Sequence, residues 1–336
     1  MIVEAIRDLL DGRSLTRAEA REVMNEIMSG EATQAQIGGF LVALRAKGET
    51  PDEIAGCADA MREHVLPVNA ARRDVIDVVG TGGDSANTFN ISTTAGLVAA
   101  AAGAGVAKHG NRAASSACGA ADVLEALGFE LEQSPERIAE SIDRLGFGFM
   151  FARAHHPSMR HAAPVRQELA TRTVFNILGP LSNPAGTRNG LFGVYSADLA
   201  QTYADALAGL GSRRAFVVHG DGGMDELSPI GPNLVFEIRD GDVTESELDP
   251  RTLGFYPADP AGLRGGSPEE NAAVIGSLFA GEQGVRRDAV LLNAAAALVA
   301  AGLADDLGDG LGLAAEAIDS GTAAARLEEL REFSHG

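Results

Sequence analysis

Three short apolar segments, each ending at a glycine, constrain the fold of this 336-residue chain most strongly. They are VIDVVG (Val75 to Gly80), GVAKHG, which ends at Gly110, and AFVVHG (Ala215 to Gly220). Short apolar runs bounded by glycine are typical of buried strands, and helical patterns separate them at residues 92–102, 116–127 and 199–210. Strand and helix therefore alternate, which predicts an α/β fold with a mostly parallel central sheet flanked by helices.

The beginning of the chain has a different, purely helical pattern. Thr16 with Glu19 and Thr50 with Glu53 have the spacing of capping boxes, and residues 33–48 repeat the plan. Apolar residues recur there at helical spacing, which is consistent either with core packing or with a dimer interface. The pattern changes after a linker at residues 67–74. We therefore expect a helical domain at residues 1–70 and an α/β domain at residues 71–336.

Composition narrows the class of function. The formal net charge is −20, which argues against a surface for nucleic acid or anionic membranes, although a local basic site is compatible with it. The start of the chain has no signal-peptide pattern, and no run of 18 apolar residues occurs. The two cysteines, Cys57 and Cys118, fall in unrelated contexts and favour a reducing cytoplasm.

The first strand runs directly into a glycine loop, GTGGD (Gly80 to Asp84). Glycines free backbone N–H groups and remove Cβ atoms that would block a phosphate. The following NISTT opens a helix, with Ser92 as the expected N-cap, and a helix start favours anions. A dinucleotide-binding loop is disfavoured because no acid follows before Asp122, whereas ribose recognition needs one about 20 residues on. A simple tight turn remains an alternative for the glycines alone.

The second strand leads into a similar loop, KHGNRAASS (residues 108–116). Lys108 is expected to be a mobile cation suited to a phosphate, and Arg112, Ser115 and Ser116 add donors. No acid occurs from residue 85 to residue 121, although acids make up 47 of the 336 residues. Two anion-suited loops on neighbouring strands predict one ligand with two phosphate ends, such as a phosphorylated sugar diphosphate.

Two further segments carry distinctive charges. Residues 144–197 contain six arginines, no lysine and a single acid, Glu168, which favours recognition of a carboxylate by arginine. The histidines of HHPSMRH in this segment lack the spacing of a zinc site, so that hydrogen bonding to a substrate is the preferred interpretation. HGDGGMDEL places Asp225 and Glu226 after the third strand, and hard oxygen ligands suit Mg²⁺. A solvated turn is the alternative for this acidic pair alone.

Together these motifs resemble those of the anthranilate phosphoribosyltransferase family. GTGGD, NIST, KHGNRAASS, the segment from HHPSMRH to LSNPAG, and HGDGGMDEL occur in that family's order and spacing, over nearly the whole chain. The resemblance implies a small helical N-terminal domain, hinge segments leading to a larger α/β domain, and a homodimer formed through the helical domain. It also implies that a segment near residues 160–185 packs with the helical domain.

The resemblance implies transfer of a phosphoribosyl group from 5-phosphoribosyl 1-diphosphate to anthranilate, without a general base, because the aromatic amine is neutral at pH 7. Lys108, Asn111 and Arg166 would position the reactants. Anthranilate would contact Gly80, Asn111, His156 and Arg166, with His109 also beside its path. The residues implied for phosphoribosyl diphosphate are Gly80, Gly83, Asp84, Thr88, Asn90, Ile91, Ser92, Thr93, Lys108, His109, Gly110, Asn111, Arg112, Ala113, Ala114, Ser115, Ser116 and Ala120.

Two magnesium ions per subunit are implied as cofactors. Ser92 and Glu226 would share one ion, and Asp225 with Glu226 would hold the second. Cys118 departs from the family pattern, in which a serine is common. Two related functions remain as alternatives: a pyrimidine nucleoside phosphorylase, disfavoured by KHGNR and the Asp225–Glu226 pair, and a nucleic-acid-binding relative, disfavoured by the net charge.

Overall fold

The computed structural model describes residues 1–84, 86–113 and 117–336. Within them, none of the helices is both long enough and apolar enough to span a membrane. The helices are α1 (Ile2–Leu10), α2 (Arg17–Met28), α3 (Gln34–Lys47), α4 (Pro51–Glu63), α5 (Ile91–Ala101), α6 (Ala120–Ala126), α7 (Pro135–Leu145), α8 (Ala152–His155), α9 (Ala163–Leu169), α10 (Phe175–Leu178), α11 (Ala197–Gly209), α12 (Pro268–Phe279), α13 (Val285–Ala300), α14 (Leu307–Asp319) and α15 (Thr322–His335).

In the described part of the chain, seven strands form one sheet. They are β1 (Val75–Gly80), β2 (Gly105–Gly110), β3 (Phe147–Phe151), β4 (Asn189–Gly193), β5 (Arg214–His219), β6 (Asn233–Arg239) and β7 (Asp242–Leu248). Their order is β3-β2-β1-β4-β5-β6-β7. Neighbouring strands from β3 to β5 in this order are parallel, whereas β6 is antiparallel to both β5 and β7. The prediction of a mostly parallel sheet flanked by helices is confirmed.

The strand order creates a switch point beside β1. The chain continues from β1 to β2 and β3 on one side and then returns to place β4 on the other side. The loops that leave the carboxyl ends of β1 and β4 therefore diverge, and open α/β sheets bind ligands in such a crevice. The first glycine loop, at residues 80–84, leaves β1 at this point.

Capping boxes fix the starts of three N-terminal helices, as the sequence predicts. In α2, α3 and α4 a threonine hydroxyl accepts the N–H three residues on, and that residue's side chain accepts the threonine N–H. Each box satisfies two backbone donors that a helix start would otherwise leave unpaired. The three threonines are Thr16, Thr33 and Thr50.

Two large apolar clusters cover the sheet. One joins α5 and α12–α15 to side chains such as Val78, Val106 and Leu191 on one face. The other joins α1–α4 and α11 to Phe192 and Val217 on the opposite face. Residues between 162 and 181 belong to this second cluster, among them Val165, Val174, Phe175, Leu178 and Leu181. These residues and the N-terminal helices therefore share one apolar cluster.

Candidate active site

Two paired glycines seat the Asp225 loop on the ends of β1 and β4. Gly80 and Gly193 are partners in the parallel ladder. A Cβ at Gly80 would overlap the Asp225 carboxylate, and a Cβ at Gly193 would overlap the Asp225 carbonyl oxygen. Asp225 can therefore reach the first glycine loop, where its Oδ2 accepts the N–H of Gly82 at 2.6 Å. Glycine is needed here for close approach of the protein's own loop, in addition to any role toward a ligand.

Glu226 connects the same loop to the start of α5. Its Oε1 accepts the Ser92 N–H at 3.0 Å, and its Oε2 accepts the Thr88 hydroxyl at 3.3 Å. The prediction that Ser92 caps this helix is wrong, because α5 begins at Ile91 with Asn90 in the N-cap position. A carboxylate supplied by a distant loop takes the place of a local cap, and this places Ser92 beside Glu226.

Burial makes the acidic pair electrostatically unusual. Only 9% of Asp225 and 8% of Glu226 is exposed. Burial, reinforced by the neighbouring charge of Asp84, raises the pKa of Asp225 well above its usual value. Burial, with the charges of Asp225 and Asp84, raises the pKa of Glu226 in the same way. Carboxylates that repel one another in a buried place are stabilised by a bound cation.

The oxygen-rich donors here fit a magnesium ion that also binds a diphosphate. Among the described residues, no group of three or more His, Cys, Asp or Glu side chains is arranged to hold a metal ion alone. Mg²⁺ does not need such a cage, since it keeps several waters and is often bound by one or two carboxylates plus substrate phosphates. The buried Asp225–Glu226 pair beside Ser92 meets that requirement.

Lys108 differs from its sequence interpretation. The prediction of a mobile cation is wrong, because only 1% of the residue is exposed and its Nζ donates to the Val78 carbonyl oxygen at 2.6 Å. Burial lowers the pKa of Lys108, while the charges of Asp77, Glu226 and Asp225 act in the opposite direction. Lys108 is thus held in the protein interior, close enough to Glu226 and Asp225 for their charges to act on its pKa.

The second loop is organised by an acid that sequence analysis did not single out. Asp122 lies just beyond the acid-free window, and its Oδ2 accepts the N–H groups of Ala113 and Gly119, both at 2.9 Å. Arg112 pairs with Asp122 at 3.0 Å and with Glu125 at 2.7 Å. Its guanidinium is therefore already engaged by protein carboxylates. Three residues predicted to bind the sugar diphosphate, Ala114, Ser115 and Ser116, lie outside the described residues.

Asn90 ties the two loops together. Its Nδ2 donates to the Cys118 carbonyl oxygen at 3.2 Å, and its Oδ1 accepts from Asn271 Nδ2 at 2.9 Å. The neighbouring side chains of Ile91 and Thr93 are buried in the protein. These residues can therefore offer a ligand mainly their backbone.

The remaining residues predicted for the diphosphate lie around the same loops. Gly83 has a φ of +76°, and a Cβ at Gly110 would lie 2.8 Å from the Phe149 ring. Asn111 is exposed and accepts the Arg112 N–H, while Ala120 begins α6. Asp84 Oδ1 accepts the Ala86 N–H at 3.2 Å, which shapes the first loop.

His156, a predicted anthranilate contact, forms a buried pair with His109, which was predicted to lie beside the anthranilate path. His156 Nε2 lies 3.2 Å from His109 Nε2, and His109 Nδ1 lies 3.0 Å from the Gly179 carbonyl oxygen. A carbonyl only accepts, so Nδ1 of His109 carries the hydrogen and its Nε2 accepts from His156. Burial lowers the pKa of His109 to about 3 and that of His156 to about 4. Both rings are therefore neutral at pH 7.

Arg166 lies apart from these contacts, on α9. Its guanidinium is 5.3 Å from the centre of the Phe175 ring, and burial lowers its pKa. Among the described residues no carboxylate pairs with it. A partly buried guanidinium without an anionic partner is suited to a carboxylate ligand.

Arg172 is a contact that sequence analysis missed. Its guanidinium lies 4.0 Å from the centre of the Tyr195 ring and donates to the Gly83 carbonyl oxygen. Tyr195 in turn donates its N–H to the Thr81 hydroxyl at 3.2 Å. Arg172 thus links the segment after α9 to the first glycine loop, and only its place in the arginine-rich segment hinted at this.

Known families match the chain in two consecutive parts. Residues 3–65 match the helical bundle domain of a glycosyl transferase family, and residues 72–324 match the a/b domain of that family. A relative named anthranilate phosphoribosyltransferase from Chloroflexus aurantiacus is 54% identical over 337 residues, covering 100% of this chain and 99% of the relative. One of the same name from Methylobacterium nodulans is 52% identical over 324 residues, covering 96% of each chain.

Solved structures agree with these matches. Anthranilate phosphoribosyltransferase from Thermus thermophilus has a TM-score of 0.94 at 49% identity, covering 99% of each chain. The enzyme from Saccharomyces cerevisiae in complex with PRPP and Mg has a TM-score of 0.90 at 29% identity, covering 99% of this chain and 98% of that one. The chain therefore belongs to this glycosyl transferase family, within it to the anthranilate phosphoribosyltransferases.

Proposed function

We propose that this chain transfers the phosphoribosyl group of 5-phosphoribosyl 1-diphosphate to the amine of anthranilate, a step of tryptophan biosynthesis that yields N-(5-phosphoribosyl)anthranilate and diphosphate. One observation carries the proposal: the buried Asp225–Glu226 pair lies against the glycine loop at the sheet's switch point. The yeast relative has been solved with PRPP and Mg, and also with 4-fluoroanthranilate.

The sugar diphosphate would bind the loops that follow β1 and β2. The first loop bends through Gly82 and Gly83, both with φ near +75°, and this geometry exposes successive backbone N–H groups. Asp122 holds the second loop through the N–H groups of Ala113 and Gly119. We assign the ligand the loop residues named from the sequence, with Ile91 and Thr93 contributing backbone only.

Mg²⁺ belongs at Asp225, Glu226 and Ser92, where it would neutralise the charge that develops on the leaving diphosphate. We propose two ions per subunit, one shared by Ser92 and Glu226 and the other held by Asp225 with Glu226. The charge of Lys108 favours the ionised form of Glu226, which is the form that binds a cation. We therefore propose that Lys108 supports metal binding through its charge, by favouring the ionised form of Glu226.

Anthranilate would be held by its carboxylate at Arg166 and lie beside His156. The neutral histidine pair offers no positive charge, so that Arg166 is the group suited to the carboxylate. The amine attacks as a neutral nucleophile, and no residue is required as a general base. Catalysis then depends on positioning by Asn111 and Arg166 and on excluding water from the sugar.

The organisation of the molecule is also part of the proposal. We assign residues 1–70 and the segment near 160–185 to a helical domain, and residues 71–336 otherwise to the α/β domain. Val3, Leu10 and Val42 are exposed on α1 and α3, which supports a homodimer formed through this domain. The two cysteines, Cys57 and Cys118, fall in unrelated contexts, which supports our proposal of a reducing, cytoplasmic location.

The decisive assay follows anthranilate fluorescence in the presence of phosphoribosyl diphosphate and Mg²⁺. We expect fluorescence to fall with turnover and this fall to stop in excess EDTA. Turnover that persists in EDTA would rule out the proposed role of the metal. The absence of turnover at every Mg²⁺ concentration would rule out the proposed function. Phosphorolysis of pyrimidine nucleosides, assayed in parallel, tests the alternative enzyme.

A further inference from the structure

A cavity of about 330 Å³ lies at the amino ends of β1, β4 and β5. β1 has six residues, so this cavity is about 17 Å from the glycine loop at the other end of the strand. Four arginines line it, Arg72, Arg73, Arg188 and Arg213, and no aspartate or glutamate is among its described lining residues. We call these four residues the arginine pocket. In a chain with a net charge of −20, such a concentration of positive charge needs a physical reason.

The four arginines are only partly paired with acids. Arg72 Nε lies 3.1 Å from Asp74, and Arg213 Nε lies 3.7 Å from Asp240 in a pair that is more than 80% exposed on both sides. Within the described residues, Arg73 and Arg188 have no carboxylate at ion-pair distance. A Cβ at Gly211 would lie 2.9 Å from Arg188 Nη1, so this guanidinium lies over the Gly211 backbone at the cavity wall.

The cavity also lies between two connecting segments. One is residues 66–74, which lead from α4 to β1, and the other is residues 183–188, which lead to β4. The Val68 N–H donates to the Pro184 carbonyl oxygen at 3.0 Å and holds the two side by side. Asn183 Nδ2 donates to Asp77 Oδ2 at 2.7 Å, inside the sheet. Both connectors join the N-terminal helices or their packed segment to the sheet.

We propose that the arginine pocket binds a small anion that carries a phosphate group. Planar guanidinium groups bind phosphate oxygens through paired hydrogen bonds, and 330 Å³ is at the lower end of the volumes of small-molecule sites. A phosphate between Arg73 and Arg188 bridges the two connectors. Binding therefore stiffens the junction between the helical part and the sheet, at a site separate from the substrate loops.

Hydrogen exchange of the full-length enzyme locates the site without any substitution. Two probes, inorganic phosphate and glycerol 3-phosphate, distinguish a free phosphate from the phosphate group of a metabolite. We expect the better probe to slow exchange at least fivefold in residues 66–75 and 183–189. Protection confined to residues 80–84 and 106–113 would place the anion at the substrate loops and overturn the proposal.

Calorimetry of a double variant, Arg73→Gln with Arg188→Gln, tests the assigned residues. We expect its Kd for the better probe to rise at least tenfold. Arg251→Gln with Arg331→Gln is the matched control, because it removes the same charge from two exposed arginines elsewhere and should change Kd less than twofold. Equal effects of the two pairs, or no saturable binding below about 10 mM in the parent, would overturn the proposal.

A protein partner is the competing explanation for the pocket. If the pocket is instead a contact between copies of this chain, the Arg73→Gln, Arg188→Gln variant will shift the sedimentation coefficient of the enzyme, with or without phosphate. We expect no such shift. A change in assembly without a change in phosphate affinity would overturn the anion site.

Discussion

Arg166 is the residue on which we propose that recognition of anthranilate depends most directly. It is partly buried over Phe175, and no carboxylate among the described residues pairs with it. We expect Arg166→Ala to raise the anthranilate KM about ten- to a hundredfold, because a charge-assisted hydrogen bond contributes about 1.5–3 kcal/mol. The KM for phosphoribosyl diphosphate should change little. Steady-state kinetics with each substrate varied in turn measure both constants.

The exposed Arg160, from the same arginine-rich segment, is the control. Arg160→Ala should leave both constants within about twofold, since a surface charge of this kind contributes little. If Arg166→Ala raised the KM for phosphoribosyl diphosphate instead, Arg166 would belong to the phosphate site.

The neutral histidine pair predicts a pH dependence of stability. The pKa of His156 is about 4 in the folded protein and about 6.5 when the chain is unfolded. The unfolded state therefore takes up a proton first as the pH falls, and this residue's contribution destabilises the fold between about pH 6.5 and pH 4, by up to about 1.4 kcal/mol per unit. Urea unfolding of the parent and of His156→Gln, without Mg²⁺, should show a difference that changes with pH in this range. A constant difference would contradict the neutral assignment.

Sequence patterns singled out the acidic pair and the glycine loops because each has a local signature, whereas the individual anthranilate candidates came from the family resemblance. These patterns could not reveal that Lys108 is buried, that Arg112 is held by Asp122, or that Arg172 reaches Gly83. Those contacts join residues from different loops. Residues 85–121 contain no acid, yet Glu226, from a distant segment of the chain, contacts Thr88 and Ser92 within this window.

Among the elements, α4 shows how one side chain can support a whole helix start. Glu53 is fully buried and accepts from the N–H groups of Leu15 and Thr50 and from Lys47 Nζ, all at 2.8–2.9 Å. We expect Glu53→Gln to lower the free energy of unfolding by about 2–3 kcal/mol, since it leaves a buried cation and a donor poorly satisfied.

Glu19 of α2 is the matched control, because it closes a capping box of the same design in a more exposed place. Glu19→Gln should cost less than about 1 kcal/mol. Chemical denaturation of the three proteins measures both differences. Equal losses would show that burial of Glu53 contributes nothing beyond the cap.

The close contact between Gly193 of β4 and the Asp225 loop gives a second prediction for the secondary-structure elements. A Cβ at Gly193 would overlap the Asp225 carbonyl oxygen, so Gly193→Ala must displace the loop that carries the acidic pair. We expect kcat/KM to fall at least about a hundredfold, roughly 2.7 kcal/mol, with a raised Mg²⁺ requirement. Gly276→Ala in α12, where a Cβ meets nothing within 4 Å, should leave both unchanged. An unaltered Mg²⁺ titration in Gly193→Ala would refute this role of the glycine.

Short apolar runs predicted β1, β2 and β5, but not β3, β4, β6 and β7. β4 reads NGLFG, in which two glycines weaken any strand signal. The structure explains both glycines: Gly193 accommodates the Asp225 loop, and a Cβ at Gly190 would overlap the Asp77 carbonyl oxygen of the neighbouring strand. Such requirements come from contacts with other segments and are invisible in the local sequence.

At the scale of the whole molecule, the N-terminal helices and the sheet share an apolar cluster. One apolar cluster runs from α1 through α4 and α11 to side chains of β4–β6. The sequence predicted a boundary near residue 70 from the change of periodicity, and it predicted the return of residues 160–185 only through the family resemblance. A connector such as residues 66–74 has no periodic pattern of apolar residues, so its sequence does not predict which elements it brings together.

The outer surface of the helical part is where assembly can be tested. Leu10 is 72% exposed on α1 and Val42 is 47% exposed on α3, and these two helices pack on each other. Leu10→Glu with Val42→Glu would introduce repelling charges at the proposed dimer interface while disturbing little of the subunit core. We expect a dimeric parent and a monomeric variant in sedimentation equilibrium, with kcat reduced less than about threefold because the acidic pair and both glycine loops lie on the sheet. Exposed Leu66→Glu is the control and should remain dimeric. A variant that stays dimeric would move the interface away from α1 and α3.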